Sequence, residues 1–370
     1  MLEAECLEEI IFLPFMSLRW LLITKSFSLK MKKNKLLIFA TTGLLLLTAC
    51  SKEELQEENL QAPETSMATQ TSTSSKFFYG VNGHPLGTIA YTSVPAQTQI
   101  NLLKRMGMNI YRIDVHSQAA NGYMSMPHLY EPLKRAADAA GITLLPMLYA
   151  RDLELNLSMT EAYNRGRVTG DRFARRYADD FTYYNIGNEF DTKCLLSSSL
   201  SGEKVSHYDQ RKFKIIASYL KGMDEGIKSK DPTAKTIINT NWMHYQYLLM
   251  LERFGVKFDI VGYHWYDEME SLAVKNHNIT NMPKFLATKF KKPIWFLEIG
   301  VRDKDGTKPE AKQKAFLDSF IAKCRNTPQV KAAIIYQLFD EPRKPSLEAN
   351  YGIFKWLNTY SSYTAKSFAK

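Results

Sequence analysis

From residue 76 onward, short apolar runs alternate with segments in which apolar residues recur every three or four positions. The first pattern is typical of strands buried on both faces, and the second of helices with one apolar face. The eight apolar runs are FFYGVN (77–82), NIYRIDVH (109–116), ITLLPMLY (142–149), TYYNIGNE (182–189), TIINTN (236–241), FDIVGYHWY (258–266), PIWFLEIG (293–300) and KAAIIYQLFDE (331–341). Helical patterns near 95–106, 128–140, 160–178, 207–229, 244–254, 281–290 and 309–325 separate them, and we expect a last helical segment after Tyr351.

Eight strand–helix units in about 290 residues predict an α/β fold of the (β/α)8 TIM barrel type. A doubly wound open sheet is the alternative. Such a sheet usually has a glycine-rich phosphate-binding turn after its first strand. Here that turn reads Asn82-Gly83-His84-Pro85, without the expected glycine spacing, so the barrel is favoured.

The first 75 residues differ in character from the rest of the chain. Residues 31–50, MKKNKLLIFATTGLLLLTAC, have a basic start, an apolar run and small residues at the end, as in a secretory signal. The ending resembles a bacterial lipobox, which implies lipidation of Cys50; a simple signal peptide or an anchor helix is the alternative. Residues 1–30 then read as an upstream extension, untranslated or disordered, with Met31 as the initiator. Residues 51–75 are polar and predict a disordered tether, with either a surface-export signal or a plain spacer at its start.

These segments predict an exported protein that is lipid-anchored to a bacterial outer membrane, on its inner or its outer face. Residues 76–370 form the remaining domain. They contain 41 basic and 29 acidic residues, because the first 75 hold seven and nine, so the domain has a net charge of +12. Such a charge suits an anionic polymer or serves solubility. No nucleic-acid motif is present, so we expect no nucleic-acid partner, and we expect a monomer.

Polar and aromatic residues collect where the predicted strands end. In a TIM barrel those ends meet at one face, and that face carries the active site. The collected residues are Asn82, His84, Arg112, Asp114, His116, Tyr149, Arg151, Asn188, Glu189, Asn241, Trp242, His264, Trp265, Tyr266, Glu298, Gln337, Asp340 and Glu341. Because every strand has such an ending, we interpret the face as a binding site.

Two of these residues, Glu189 and Glu298, end the fourth and seventh runs. Paired carboxylates on either side of one bond are what glycosidic cleavage needs. One is protonated and donates to the leaving oxygen, and the other is ionised and attacks the anomeric carbon or activates water. The pair therefore predicts a glycosidase acting on a polysaccharide or oligosaccharide, and Glu189 is expected to hold a proton near neutral pH.

Three segments resemble clan A glycoside hydrolases over residues 77–356. "IGNEF" fits the Asn-Glu signature of the fourth strand, "GYHWY" the sixth strand, and "WFLEIGV" the strand that carries the nucleophile. The resemblance implies that Glu189 is the acid/base, Glu298 the nucleophile, and that the anomeric configuration is retained. It also implies substrate-binding roles for the residues around them, which are Asn82, Arg112, His116, Asn188, His264, Trp265 and Tyr266.

Individual roles follow from the same resemblance. Asn188 would bind the sugar 2-hydroxyl, Tyr266 or His264 would hold Glu298 in place, and Arg112 would neutralise Glu298. His116 and Asn82 would line the subsite at the cleaved bond. Many clan A enzymes have a Trp at the end of the eighth strand. Here Phe339 stands near that place, either as the platform or as a core residue, and Trp265 or Trp242 is an alternative platform.

The sequence leaves two other functions open. A metal-dependent hydrolase would need clustered ligands, but the first strand lacks His-x-His and no cluster has metal spacing, so we expect no metal and no cofactor. A surface glycan-binding lipoprotein with an inactive barrel is the second alternative. The presence of both glutamates argues against it. Export would permit a disulfide between Cys194 and Cys324, but two cysteines far apart in sequence neither predict nor exclude one.

Overall fold

The computed structural model describes residues 76–118, 121–303, 307–344 and 346–369. The predicted extension, signal and tether at residues 1–75, with Cys50, lie outside these ranges. Eight parallel strands close into a barrel in chain order, and the last strand pairs with the first, which confirms the predicted (β/α)8 fold. The strands are β1 Phe78–Gly83, β2 Ile110–His116, β3 Thr143–Tyr149, β4 Tyr183–Ile186, β5 Lys235–Asn241, β6 Ile260–Tyr266, β7 Ile294–Gly300 and β8 Val330–Ile335.

Helices connect successive strands and cover the outside of the barrel. Local signals set several of their ends. Ser158 and Glu161 form a reciprocal capping box at the start of the fourth helix, and Gly141 ends the third with a left-handed φ of 68°. The helices are α1 Ile89–Thr92, α2 Ala96–Arg105, α3 Tyr130–Ala140, α4 Met159–Tyr177, α5 Asp191–Cys194, α6 Gln210–Lys228, α7 Tyr245–Phe254, α8 Asp267–His277, α9 Met282–Lys289, α10 Glu310–Arg325 and α11 Ser346–Ala349.

Two predicted elements differ from the structure. The helix expected after Tyr351 is instead an antiparallel hairpin of β9 Phe354–Asn358 and β10 Ser362–Ala365. The eighth strand ends at Ile335, six residues before its predicted end, and the chain then turns towards this hairpin, where Phe339 bridges to Phe354. Helix α8 was not predicted, because it buries only Met269 and Ala273 and so lacks a broad apolar face.

Apolar side chains fill the barrel near the amino ends of the strands. They form a cluster separate from the one that includes helix residues, and its members are Phe78, Ile110, Leu145, Ile237, Ile260, Trp295, Leu297, Ala332 and Ile334. Further along the same strands the buried residues become polar, for example Asn82 and Arg112. The fold therefore has an apolar lower layer and a polar upper layer at the carboxyl ends of the strands.

Cys194 and Cys324 are buried free thiols, so they form no disulfide with each other. Among the described helices, none is long and apolar enough to cross a membrane.

Candidate active site

Glu298 lies in β7, opposite His264 of β6, while Glu189 lies three residues beyond the end of β4. At least one oxygen of each carboxylate lies within 4.8 Å of the other, and the Nδ1 atom of His264 lies within the same distance of both. The barrel thus brings together two residues that are 109 positions apart in the chain.

The turn after β4 is responsible for the position of Glu189. Gly187 has φ of 75°, which favours glycine, and an added Cβ would lie 2.9 Å from the ring of Phe190. Glu189 itself has φ of 48°, a conformation that costs a non-glycine residue of order 1 kcal/mol or more. Its backbone N–H donates to Oδ1 of Asn239 at 2.8 Å. Asn239 of β5 therefore holds the strained turn that places the Glu189 side chain over the barrel.

Arg112 of β2 connects the polar upper layer. Its Nη1 atom donates to Oε1 of Glu298 at 2.8 Å and to Oδ1 of Asn82 at 2.6 Å. Its Nε atom donates to Asn185 at 3.0 Å, and its Nη2 atom donates to Asn188 at 2.7 Å. Because the guanidinium is buried, these bonds compensate its desolvation and fix its plane beside Glu298.

Glu298 is only 7% exposed and has two close partners on its two oxygens. Arg112 binds Oε1, and the hydroxyl of Tyr266 donates to Oε2 at 2.8 Å. His264 lies further away, with Nδ1 at 3.4 Å from Oε2. Of the two residues expected to hold Glu298, Tyr266 therefore makes the hydrogen bond.

His264 instead pairs with Glu189, with Nδ1 at 2.7 Å from Oε1. Burial raises the pKa of Glu189, but the hydrogen bond and charge of His264, a hydrogen bond from Asn241 and the charge of Arg112 outweigh burial and lower this pKa to about 2. Glu189 is therefore ionised at neutral pH in the free protein. The expectation that it holds a proton there is wrong, because sequence did not reveal that His264 would face it.

The surroundings of His264 agree with an ionised Glu189. The Nε2 atom is buried and has no hydrogen-bond partner among the described residues. If Glu189 were protonated and donated to Nδ1, a neutral imidazole would carry its proton on Nε2, as a buried donor without a partner. Such a donor is costly, so among arrangements with a neutral imidazole, Nδ1–H donating to a Glu189 carboxylate is favoured.

The carbonyl oxygen and the amide nitrogen of the Asn188 side chain have different roles. Its Oδ1 atom accepts from Nη2 of Arg112 at 2.7 Å and from Nδ2 of Asn239 at 3.0 Å. Within the described ranges its Nδ2 atom has no protein acceptor, and Asn188 lines the open cavity. The amide therefore offers N–H donors to a ligand oxygen.

A cavity of about 480 Å³ opens beside Glu298. Two aromatic side chains stand on its wall, Tyr149 at the end of β3 and Tyr336 just after β8, so Tyr336 takes the place near the end of the eighth strand where a platform is expected. The lining residues are Asn82, Gly83, His84, Thr88, Arg112, Ile113, Asp114, His116, Met147, Tyr149, Asn188, Glu298, Tyr336, Lys344 and Glu348.

The predicted substrate contact of Trp265 is wrong, and Phe339 is a core residue rather than a platform. Trp265 is 0% exposed and donates through Nε1 to Glu270 of α8, so it packs on the outer face of the barrel. This follows from strand alternation, since His264 and Tyr266 on either side of it reach the two glutamates. Phe339 is also 0% exposed and packs in the core against Trp356 and Tyr363 of the hairpin. Trp242 stacks on Trp265, with ring centroids 6.0 Å apart.

His116 and Asn82 both line the cavity beside Glu298, but they have different partners. Asn82 is buried and bonded to Arg112, whereas the exposed His116 places Nε2 at 2.7 Å from Asp114. His84 binds the other oxygen of Asp114 at 3.0 Å. Burial raises the pKa of Asp114. The charges of the two imidazoles and their hydrogen bonds outweigh burial and hold the pKa of Asp114 far below its usual range.

Sequence reasoning missed Asn185 and Asn239, which lie in β4 and β5 rather than beyond their ends. Both are buried, and they bind each other as well as Arg112 and Asn188. The one sequence feature that could have identified them as site residues is an amide inside an otherwise apolar strand, since a buried amide needs hydrogen-bond partners. Glu189, His264 and Glu298 also form the group of described residues that is close enough to hold a metal ion. Hydrogen bonds within the protein explain this closeness, and the expected absence of a metal stays a prediction.

Solved structures with a similar fold include several glycosidases. A β-glucosidase named 1317 matches with a TM-score of 0.61 and 15% identity, over 79% of this chain and 96% of that one. The family 1 β-glucosidase from Thermotoga maritima matches with a TM-score of 0.54 and 13% identity, over 79% and 95%. At these identities the likeness concerns the fold, and it agrees with the clan A resemblance.

A family 39 glycoside hydrolase from the gut symbiont Bacteroides cellulosilyticus WH2 also matches, with a TM-score of 0.52 and 15% identity. The match covers 76% of this chain but only 60% of that enzyme, so the present chain spans about three fifths of its length. No protein with a curated description matches the chain in sequence.

Among protein families, the sequence model of glycosyl hydrolase family 53 matches residues 177–369, a stretch that contains Glu189, His264, Tyr266 and Glu298. Because this match spans more than half of the chain, the chain belongs to glycosyl hydrolase family 53 and the protein is a glycosidase.

Proposed function

We propose that the protein is a retaining glycoside hydrolase that cleaves O-glycosidic bonds of a polysaccharide or oligosaccharide by double displacement. The observation that carries the proposal is the separation of the two carboxylates, whose nearest oxygens lie within 4.8 Å. Carboxyl groups about 5–5.5 Å apart suit retention, whereas inversion needs about 6.5–9.5 Å to admit a water molecule.

In the first step, an oxygen of Glu298 bonds to the anomeric carbon while the bond from that carbon to the leaving oxygen breaks. Glu189 transfers a proton to the leaving oxygen. Arg112 and Tyr266 hold the Glu298 carboxylate in position, because each donates to one of its oxygens. The Nδ2 atom of Asn188 would donate to the sugar 2-hydroxyl, and Asn82 and His116 would line the same subsite.

In the second step, Glu189 removes a proton from water, the water oxygen bonds to the anomeric carbon, and the bond to Glu298 breaks. Because its pKa is low, Glu189 is ionised in the free protein and can accept this proton. The acid role of the first step requires its pKa to rise when substrate binds. The side chain of Glu189 is 30% exposed, and a bound sugar would cover it and exclude water, which favours the protonated form.

Single amide substitutions test the proposal. Glu298→Gln removes the nucleophile and Glu189→Gln removes the acid/base, and we expect each to lower kcat by about 10³-fold or more. Glu131→Gln changes an exposed glutamate of α3 and serves as the control. Digestion of a polysaccharide panel with product analysis identifies the substrate, and an NMR time course then shows the anomer released first.

A first product with the configuration of the substrate bond is expected. An inverted first product would reject the retaining mechanism. A wild-type protein that binds glycans but cleaves none would favour the non-catalytic glycan-binding alternative.

We also propose that the protein is exported and anchored to the outer membrane through lipid on Cys50. The support is the basic, apolar and small-residue pattern of residues 31–50 and the polar segment that follows it.

A further inference from the structure

The cavity beside Glu298 continues into a second one. The second cavity has a volume of about 370 Å³ and shares Thr88, Asp114 and His116 with the first. Its other walls come from the loops after β1, β2 and β3, and they include Arg151. The two cavities, here called the inner and the outer cavity, therefore form one groove that runs from Glu298 across the first three strands.

The position of the catalytic pair determines which part of a glycan lies in this groove. Glu298 lines the inner cavity, whereas Glu189 lines neither cavity. In the proposed mechanism, the sugar bonded to Glu298 is the glycone, and the leaving group lies beside Glu189. Because Glu298 but not Glu189 lines the groove, its outer part suits glycone units beyond the one that reacts.

Most charged side chains along the groove are already paired. Lys344 of the inner cavity lies 3.1 Å from Glu341 and 3.4 Å from Glu348. Asp114 lies between His84 and His116, at 3.0 Å and 2.7 Å. These pairs leave little net charge on the inner part of the groove.

Arg151 of the outer cavity differs from them. Among the residues that the structure describes, no carboxylate oxygen lies within 4.0 Å of its guanidinium, and its side chain is exposed to the cavity. Its backbone N–H donates to Oγ of Ser117 at 2.7 Å, and that hydroxyl also donates to the buried Asp152 at 3.1 Å. The chain at Arg151 is therefore fixed two residues after β3, which presents an uncompensated cation to the groove.

We propose that the outer cavity is a subsite for an acidic group on the glycone side of the substrate, with Arg151 as the residue that recognises it. The group is a uronate carboxylate or a sulfate ester, since a planar guanidinium binds either with two parallel hydrogen bonds. This inference rests on the proposed hydrolase function and narrows its substrate class. It also fits the net charge of +12 on residues 76–370.

Affinity gel electrophoresis with matched glycans tests the proposal. Glu298→Gln protein is used so that the glycans are not cleaved. The first pair of probes is glucuronoxylan and its carboxyl-reduced form, and the second pair is κ-carrageenan and its desulfated form. We expect at least one acidic probe to bind roughly three- to fivefold tighter than its neutral counterpart, as for one exposed ion pair, and added NaCl to reduce the preference.

Arg151→Gln in the same background should abolish the preference and leave binding of the neutral form unchanged. Arg105→Gln is the matched control, since it removes an exposed arginine of α2 that lines neither cavity. A preference confined to one pair of probes identifies the acidic group as carboxylate or sulfate.

Equal binding of acidic and neutral probes, absence of binding to both acidic probes, or a preference that survives in Arg151→Gln would each overturn the proposal. None of these results affects the hydrolase assignment. Hydrolysis of a neutral glycan by the wild-type protein, with its loss in Glu298→Gln, would still support that function.

Discussion

At the scale of single residues, two glutamates with the same side chain lie in different surroundings. Glu298 has an arginine on one oxygen and a tyrosine hydroxyl on the other. Glu189 has a histidine within hydrogen-bond distance and is more exposed. These differences suit a nucleophile held in place by two donors and a second carboxyl whose protonation changes during the reaction.

The low pKa of Glu189 predicts a dependence of stability on pH. Its folded pKa of about 2 is below the ordinary value of 4.5, so the ionised carboxylate stabilises the folded state above about pH 4.5. This stabilisation, about 3 kcal/mol, is lost as the pH falls from about 4.5 to about 2. We expect the free energy of unfolding of the wild type to exceed that of Glu189→Gln at pH 6, and the difference to shrink by pH 2.5.

Urea unfolding at several pH values measures this difference. Glu131→Gln is again the control, because it changes an exposed glutamate far from His264. A difference between wild type and Glu189→Gln that stays constant from pH 6 to pH 2.5 would contradict the prediction.

At the scale of elements, α4 and α6 approach each other closely because glycines line both helices. An ideal Cβ on Gly166 would lie 2.0 Å from the backbone oxygen of Tyr219, and one on Gly222 would lie 2.0 Å from that of Tyr163. Gly170 and Gly226, one turn further along, are equally constrained. The polar, arginine-rich surface of α4 hid this contact, because glycine lacks the apolar side chain by which a helix face is recognised.

Replacement of Gly166 by alanine should therefore destabilise the protein. In an exposed helix the change would stabilise by about 1 kcal/mol. Here the clash with Tyr219 must force the helices apart, and we expect a net loss of about 1–3 kcal/mol in the free energy of unfolding.

Gly87→Ala is the matched control for this methyl group, since nothing lies within 4 Å of its Cβ position. Chemical unfolding of both variants makes the comparison. A Gly166→Ala protein as stable as Gly87→Ala would show that the helices tolerate the extra group.

The predicted elements also show how far local patterns reach. Seven predicted helices correspond to α2, α3, α4, α6, α7, α9 and α10, with bounds that differ by three residues or fewer. The helix predicted after Tyr351 is wrong because the alternation of Phe354 and Trp356 places aromatic rings against Phe339. That contact belongs to the tertiary structure, so the local pattern near the end of the chain could not reveal it.

At the scale of the whole molecule, the proposed lipid anchor concerns residues outside the described ranges. Replacement of Cys50 by serine removes the thiol that would carry the lipid. We expect the wild type to enter the detergent-rich phase after Triton X-114 partition of cells of the native host, and Cys50→Ser to remain in the aqueous phase. The reason is that each buried methylene of an acyl chain adds about 0.8 kcal/mol of membrane affinity.

Cys6→Ser is the control, because Cys6 lies upstream of the proposed initiator Met31. Detergent partition of Cys50→Ser equal to that of the wild type would reject lipidation at this position and favour an anchor helix.

The sequence by itself determined the barrel, the strand on which Glu298 lies and the place of Asn188 and Glu189 near the end of the fourth strand, because strand and helix periods and residue order are local properties of the chain. Only the tertiary structure decided which groups meet. Arg112 contacts Glu298 across 186 positions, and His264 contacts Glu189 across 75. It also placed Trp265 and Phe339 in the buried packing outside the active site. Asn185 and Asn239, in contrast, became part of the active site. Contacts and pKa values depend on distances between remote residues, and such distances are fixed only when the barrel closes.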